Sequence, residues 1–203
     1  YAIGLALVEA CLADARPAES GRIDDDLIAR LQWRRAGFLF RLGRLDETAE
    51  ALTRALERAE RLADRSFRAE LLISLAVAHL ELAQFESAET AFLTAESIAE
   101  ELGNKRLAMR LAVNRGLSAD LRGDYDVAGR LYGVAEALAR SLGDAASLGL
   151  ILKNAAARLW RLERYEEAVD AYRAALSVIE PTGIVFAQAA ARIGLGYALV
   201  RLG

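Results

Sequence analysis

Two asparagines in the second half of the chain carry side-chain chemistry that can hold an extended peptide. Asn114 and Asn154 lie 40 residues apart, and each stands two residues before a small residue, Gly116 or Ala156. An amide side chain both donates and accepts hydrogen bonds, so it can bond the N–H and C=O groups of a peptide backbone. We therefore predict peptide contacts here; the alternative is that each asparagine is solvated or bonds a neighbouring helix.

Cations and tryptophans at related positions could complete such a site. Lys153, Asn154 and Arg161 form the best candidate group for a peptide carboxylate, because Lys and Arg donate charge-assisted hydrogen bonds. Tryptophan is frequent at binding hot spots, although Trp33 and Trp160 could instead pack between helices. The predicted partner-binding residues are Trp33, Arg34, Asn114, Lys153, Asn154, Trp160 and Arg161.

Residues that catalysis or metal binding would need are sparse. The only histidine, His79, lies inside an apolar run and is interpreted as half-buried and structural rather than as a general base. The only cysteine, Cys11, is interpreted as a small packing residue rather than a reactive thiol. No His, Cys and Asp cluster has metal-ligand spacing. We therefore predict a protein that is not an enzyme, with no catalytic residue, metal or cofactor.

Composition narrows the class of protein further. Of the 203 residues, 54% are hydrophobic and 27% are charged, which suits a packed core and not a disordered chain. The net charge of −3 argues against a general nucleic-acid binder. No apolar run is long enough to span a membrane, and one cysteine fits a reducing compartment. We expect a cytoplasmic protein with no nucleic-acid or membrane partner.

The candidate residues belong to a pattern that repeats every 40 residues and has helical spacing within each copy. Ala128, Tyr132 and Ala135 follow the spacing i, i+4, i+7, which places them on one helix face. A column of small residues that includes Gly116 lies twelve residues upstream and lets two helices approach closely. Each copy is therefore predicted to be an antiparallel pair, helix A and then helix B. The similar segments in the four copies begin at Leu45, Phe85, Tyr125 and Tyr165.

Turn residues set the predicted helix boundaries. Gly143 suits the end of one helix and Asp144 the N-cap of the next, and residues 24–26 are interpreted as a capping run rather than a cation site. The first helix, 2–15, ends at Pro17, and a polar turn covers 17–26. The A helices are predicted at 27–42, 67–82, 106–122, 146–162 and 184–202, and the B helices at 46–62, 86–101, 126–141 and 166–180.

These columns resemble the tetratricopeptide repeat, in which Ala-x-x-x-Phe/Tyr-x-x-Ala occupies the second helix and proline often follows. Ala128 and Tyr132 match it, as do the corresponding pairs in the neighbouring copies, whereas Thr48 and Leu52 depart from it in the first copy. The common unit has about 34 residues, and the longer unit is typical of bacterial signalling proteins. The resemblance implies an all-α fold: a right-handed α–α superhelix, or TPR-like solenoid, of antiparallel helix pairs.

The resemblance also implies how the chain is divided. Residues 1–203 form one solenoid that begins and stops in mid-repeat, so we expect a piece of a larger bacterial regulator or effector. The predicted parts are 1–16 (second helix of a preceding partial repeat), 24–63, 64–103, 104–143, 144–183 (four repeats) and 184–203 (first helix of a further repeat).

In such a solenoid the A helices form most of the concave wall, and the A and B helices of this sequence differ in charge. The predicted A helices hold 14 Lys and Arg against three Asp and Glu, whereas the B helices hold six against 16. A basic wall suits an acidic partner or a free carboxylate, unless the charges serve only pairing and solubility. Asp120 and Trp160 share a predicted groove-facing row, and Arg41, Arg161 and Arg201 recur at turns where they could pair with carboxylates.

The resemblance leaves two functions open. The first is a protein–protein interaction scaffold that binds a peptide or partner domain in its groove. The alternative is a ligand- or peptide-sensing module of a signalling or transcription-regulating protein. The full carboxylate-binding pattern of chaperone-binding relatives is absent, because Leu150 and Ala190 stand where cations are needed. Self-association through exposed solenoid ends is a further expectation.

Overall fold

A computed structural model describes residues 1–14 and 24–203, and in those ranges it contains ten α-helices and no strand. The all-α prediction is thereby confirmed, and every predicted helix is present with ends within three residues of the expected ones. Pro17 and most of the turn at 17–26 lie outside the described residues. The helices are α1 (Ala2–Asp14), α2 (Asp25–Arg41), α3 (Leu45–Ala59), α4 (Arg65–Glu81), α5 (Phe85–Glu101), α6 (Lys105–Leu121), α7 (Tyr125–Leu142), α8 (Ala145–Arg161), α9 (Tyr165–Ile179) and α10 (Val185–Leu202).

Short polar side chains begin four of the five A helices, α2, α4, α6 and α8, as the sequence predicts, whereas Ile184 precedes α10. The Asp24 carboxylate accepts hydrogen bonds from the backbone N–H groups of Asp26 and Leu27, which have no partner inside the helix. Residues 24–26 therefore act as a capping run. The equivalent bonds join Asp64 to Phe67, Asn104 to Leu107 and Asp144 to Ser147.

Left-handed residues close the turns between helices. Gly143 has a φ of 63° after α7, where glycine avoids the steric cost that a Cβ carries. In the turns from an A helix to a B helix, where two other copies have glycine, Ala83 and Glu163 adopt φ values of 57° and 60° although each has a Cβ. This conformation costs such residues roughly 1–2 kcal/mol, so the turn geometry is imposed by the packing of the flanking helices.

The chain divides into two compact units, Tyr1–Leu107 and Ala108–Gly203, with the boundary inside α6. In the first unit α2 packs on α3, α3 on α4, and α4 on α5. In the second unit α7 packs on α8, α8 on α9, and α9 on α10. Each unit is thus built from consecutive helix pairs, and one continuous stack of repeats stays a prediction.

Close helix approach in the second unit depends on a glycine facing an aromatic ring. Tyr132 is 2% exposed, and a methyl group added to Gly116 would lie within 2.7 Å of its ring. Tyr132 therefore fills the space that the missing side chain leaves, as the column of small residues predicts. In the first unit Thr48 and Leu52 stand in for the usual Ala and aromatic residue, and both are 2% exposed.

One packing expectation is wrong. Cys11 is exposed on α1, so it does not fill the core as its small apolar side chain led us to expect. Its neighbour Leu12 is half-buried, and the buried face of α1 passes instead through Leu5. Among the described residues α2 is the main packing partner of the short helix α1, which explains why most of the surface of α1 is exposed.

We predict that Tyr132→Ala lowers the free energy of unfolding by roughly 3–5 kcal/mol, because it removes a large buried side chain and leaves a cavity beside Gly116. Urea unfolding followed by circular dichroism measures this change. Tyr197→Ala is the control, since Tyr197 is 63% exposed and its loss is expected to change stability little. A near-neutral Tyr132→Ala variant would contradict the assigned helix register.

Candidate functional site

In the first unit, aromatic and basic side chains of α2 surround a cavity of about 250 Å³. Its residues repeat at intervals of three, four and seven positions, so they share one face of the helix. We call this feature the α2 cavity. It is lined by Trp33, Arg34, Gly37, Phe38 and Arg41.

Trp33 forms a wall of the α2 cavity and is held in place from α4. Its indole Nε1 donates a hydrogen bond of 3.3 Å to the Ser74 hydroxyl. The Phe67 ring meets it edge to face, with 5.5 Å between ring centroids. Trp33 therefore packs between helices, as one of the two interpretations held, and also lines the cavity.

The two arginines of the α2 cavity keep their charge available. The Arg34 guanidinium lies 5.9 Å from the centroid of the Trp33 ring. Arg41 lies 5.1 Å from the Tyr1 ring centroid and donates to the Tyr1 hydroxyl over 3.2 Å. Neither arginine forms an ion pair with a carboxylate in residues 1–14 or 24–203.

Other arginines of the predicted basic wall are neutralised inside the fold. Arg30 pairs with Asp26 at 2.9 Å, and Arg35 pairs with Glu9 at 3.1 Å. Pairing within the protein therefore accounts for part of the charge difference between A and B helices. Arg34 and Arg41 are exposed and have no such pairing in the described ranges.

In the second unit, Asp120 is buried at the end of α6 and anchors a cation on α8. Its side chain is 1% exposed, and one oxygen, Oδ2, accepts from the Tyr132 hydroxyl at 2.9 Å and from Arg161 Nη1 at 3.1 Å. The other oxygen, Oδ1, has no hydrogen-bond partner among the described residues. The groove-facing position predicted for Asp120 is therefore wrong: Asp120 points inward and positions Arg161.

Burial governs the ionisation of this group. It raises the pKa of the Asp120 carboxyl above its ordinary value, although the Tyr132 hydrogen bond and the Arg161 charge act in the opposite direction. Burial and the Asp120 charge also raise the pKa of the Tyr132 hydroxyl. Tyr132 therefore remains protonated and donates to the carboxylate.

Lys153 differs from Arg34, the other predicted site cation without an ion pair among the described residues, because it is half-buried rather than exposed. Its side chain is half-buried, and burial, followed by the nearby Arg161 charge, lowers the pKa of its ammonium group. It forms no ion pair with any described carboxylate. Lys153 and Arg161 are eight residues apart on α8, so they share one face two turns apart.

A third cation on α8 adds to this excess of positive charge. Arg158 donates to the Tyr125 carbonyl oxygen at 3.2 Å, while its Nε is buried without a partner among the described residues. We call Lys153, Arg158, Arg161 and Asp120 the α8 cluster. Three cations there share a single carboxylate.

The remaining candidates have mixed outcomes. Asn114 is half-buried, and its side-chain N–H donates a hydrogen bond of 2.8 Å to the Arg110 carbonyl oxygen of the same helix. Asn154 is also half-buried, and its side chain makes no hydrogen bond to the described residues. Trp160 is 37% exposed, which leaves part of its ring accessible. Of the three turn arginines expected to pair with carboxylates, only Arg161 does so among the described residues; Arg41 contacts Tyr1, and Arg201 lies over the Tyr165 ring.

In residues 1–14 and 24–203, the side chains that metal binding would use are not gathered into a site. His79 is half-buried, and its Nδ1 lies 2.6 Å from the Gln84 side-chain oxygen, which agrees with a structural role. No group of three His, Cys, Asp or Glu side chains there is arranged to hold a metal ion. No helix in these ranges is both long and apolar enough to cross a membrane.

Two family models, both described as tetratricopeptide repeat, match this chain at residues 27–101 and 159–181. Over these residues the chain belongs to the tetratricopeptide repeat family. The first match spans α2 to α5, and the second runs from the end of α8 through α9. A search of curated proteins finds no match to the sequence.

Solved structures of the same fold include several regulatory proteins. Aspartyl phosphate phosphatase F from Bacillus subtilis has a TM-score of 0.82 at 16% identity over 96% of this chain. A signal transduction ATPase with a tetratricopeptide repeat sensor, from Pyrococcus horikoshii, has a TM-score of 0.74 at 20% identity over 86%. The Rap conjugation gene regulator of plasmid pLS20, in complex with the Phr* peptide, has a TM-score of 0.67 at 18% identity over 85%.

This chain corresponds to only part of each of those proteins. It spans 50% of the phosphatase chain, 26% of the ATPase chain and 51% of the conjugation regulator. At these identities the likeness establishes the fold that they share.

The raised pKa of Asp120 predicts an unusual dependence of stability on pH. The folded state holds the Asp120 proton more tightly than the unfolded state, so the contribution of Asp120 to stability grows as the pH falls toward 4 and shrinks as it rises. Relative to Asp120→Asn, the wild type is therefore expected to gain stability on acidification from pH 7 to pH 4, as measured by urea unfolding.

Glu47→Gln serves as the opposite control. The hydrogen bond from Arg44 lowers the pKa of the Glu47 carboxyl, so its contribution to stability is lost as the pH falls through its folded-state pKa. The advantage of the wild type over Glu47→Gln is expected to shrink on acidification. The same trend for Asp120→Asn would show that Asp120 is not governed by burial.

Proposed function

We propose that this chain is a non-catalytic protein–protein interaction module that binds a peptide, or a segment of a partner protein, through its A helices. The preferred ligand carries acidic side chains or a free carboxylate. The observation that carries this proposal is Lys153, a half-buried cation without a carboxylate partner in the described part of the chain.

The fold gains nothing from an ammonium group at Lys153. A buried charge costs free energy unless it is paired, and the neighbouring Arg161 charge adds repulsion. A partner carboxylate would remove both costs at once, because it would pair with Lys153 and with the donors of Arg161 that Asp120 leaves unused. The α8 cluster is therefore better suited to a complex with an anion than to the isolated chain.

Asp120 gives such a site its geometry. An exposed arginine loses side-chain entropy when it binds a ligand, and the Asp120–Arg161 bond at 3.1 Å removes part of that cost beforehand. Arg161 remains 36% exposed, so its guanidinium can still reach a ligand. Asp120 is in this sense a positioning residue.

The asparagines supply contacts of a different kind. Asn154 makes no hydrogen bond within the described residues, and Asn114 keeps its amide oxygen and one N–H after bonding Arg110. These amide groups suit the backbone of an extended peptide, while the α8 cluster suits its charge. The complex of the conjugation gene regulator with the Phr* peptide is an example of peptide binding on this fold.

A second candidate function is a sensing module within a larger regulatory protein. It is favoured by the likeness to the signal transduction ATPase, whose tetratricopeptide repeat is described as a sensor. In that case the same A-helix surface binds the signal, and an attached domain responds to it. The two functions are distinguished by the domains that accompany this chain in the full-length protein.

We predict that Lys153→Met weakens binding of acidic peptides while leaving the melting temperature unchanged or higher, because it removes an unpaired half-buried charge. Peptides selected from a random display library would be measured by fluorescence anisotropy, each with a free C-terminal carboxylate and as the amide. Lys105→Met is the matched control at an exposed lysine. A destabilised Lys153→Met variant with unchanged affinity would argue for a structural role of Lys153.

We also predict that Asn114→Ala combined with Asn154→Ala weakens peptide binding and leaves helicity and melting unchanged, since neither side chain bonds a neighbouring helix among the described residues. Circular dichroism and the same anisotropy assay test both halves of this statement. Full affinity in the double variant would exclude the asparagines from the site.

A further inference from the structure

The α2 cavity is of a size that suits a single side chain. At about 250 Å³ it lies below the range of roughly 300–1,000 Å³ typical of small-molecule pockets. All five lining residues belong to α2, so the cavity is a depression along one helix face rather than a cleft between domains.

The two arginines that line the α2 cavity have no carboxylate partner in the described ranges, whereas the neighbouring Arg35 has two. Arg35 contacts the carboxylates of Glu9 and Glu47 at 3.1 and 3.9 Å. Arg34, the preceding residue, and Arg41 face the cavity and pair with no carboxylate in residues 1–14 and 24–203. Their spacing of seven residues places the two guanidinium groups two turns apart on one face.

Aromatic rings make this position favourable for a charged hydrogen bond. The rings of Trp33 and Phe38 line the cavity, so a bound side chain would displace water from apolar surface, and charge-assisted bonds strengthen as water is excluded. Trp33 is already ordered by Ser74 and Phe67 of α4, so binding costs little further entropy there. The methylene groups of an incoming side chain would contact these rings.

Gly37 keeps the centre of the α2 cavity open. It lies inside α2, where glycine is unfavourable for helix stability. A methyl group added to it would meet no atom of the described chain within 4 Å. Close packing therefore does not require glycine here, in contrast to Gly116, whose added methyl would strike Tyr132.

We infer that the α2 cavity receives the side chain of an aspartate or glutamate from a partner peptide, with its carboxylate between Arg34 and Arg41. This inference rests on the proposed function and assigns one subsite of it. Gly37 leaves the space that the side chain occupies, and the two rings contact its methylene groups.

Gly37→Leu tests the inference because it fills the cavity while both arginines are kept. Gly133→Leu is a matched control: Gly133 also lies inside a helix, is exposed, and has no described atom within 4 Å of an added methyl group. Both changes replace glycine by a good helix former, so both variants are expected to melt at or above the wild-type temperature.

Peptides selected on the wild-type protein from a random display library are the probes, each compared with versions in which every Asp or Glu is replaced singly by Asn or Gln. We expect one such replacement to weaken binding about tenfold, an effect of the size that a charge-assisted hydrogen bond produces. We expect Gly37→Leu to weaken binding of the acidic peptide by about the same factor. This variant is also expected to bind the acidic peptide and its Asn or Gln version equally well. Gly133→Leu is expected to bind as the wild type does.

The outcomes separate this inference from the proposed function. If selected peptides bind and Gly37→Leu still discriminates Glu from Gln as the wild type does, the α2 cavity is not the acidic subsite, although the chain remains a peptide-binding module. If Arg34→Gln combined with Arg41→Gln keeps full affinity, the inference is likewise overturned. If neither peptides nor proteins bind the wild type, the proposed function itself fails.

Discussion

Close contact between paired helices is the constraint on which the rest of this structure depends. Gly116 and Tyr132 show it most directly, because the ring occupies the volume that any side chain at position 116 would need. Such contacts bring consecutive helices together at a distance that the short turns can span, which forces even Ala83 and Glu163 into left-handed conformations. The equivalent small residues Ala36, Ala76 and Ala156 are also buried, so these helix faces are committed to packing. Only the remaining faces are available for another molecule.

The charged side chains on the remaining faces differ between copies, and so does the number of cations that have a carboxylate partner. Arg30 and Arg35 are neutralised by nearby carboxylates, so they contribute to the fold and little to a site. Arg34, Arg41 and Lys153 lack such partners in the described ranges. A half-buried cation without a partner, such as Lys153, is poorly explained by stability alone. It is readily explained by a ligand that brings the missing charge.

The helices and their caps could be predicted from sequence because their causes are local. Asp144 caps α8 through a residue three positions away, and the spacing of Ala128, Tyr132 and Ala135 lies within one helix. The buried ion pair could not be predicted in the same way, since Asp120 and Arg161 are 41 residues apart and meet only through packing. A lone acidic residue on a basic helix was the available signal. Cys11 was mispredicted because its exposure depends on which neighbours cover α1, and no local pattern reports that.

The Tyr132 side chain contacts both the packed core and the carboxylate that binds a partly exposed arginine. The ring fills the core beside Gly116, while the oxygen holds the carboxylate that positions Arg161. In the first unit Phe92 occupies the equivalent column without a hydroxyl, and Leu80 stands where Asp120 does. Tyr132 and Asp120 together therefore distinguish a repeat whose core only stacks from a repeat whose core also orients a cation. Divergence between copies can therefore orient a surface charge by changing the buried residues beneath it.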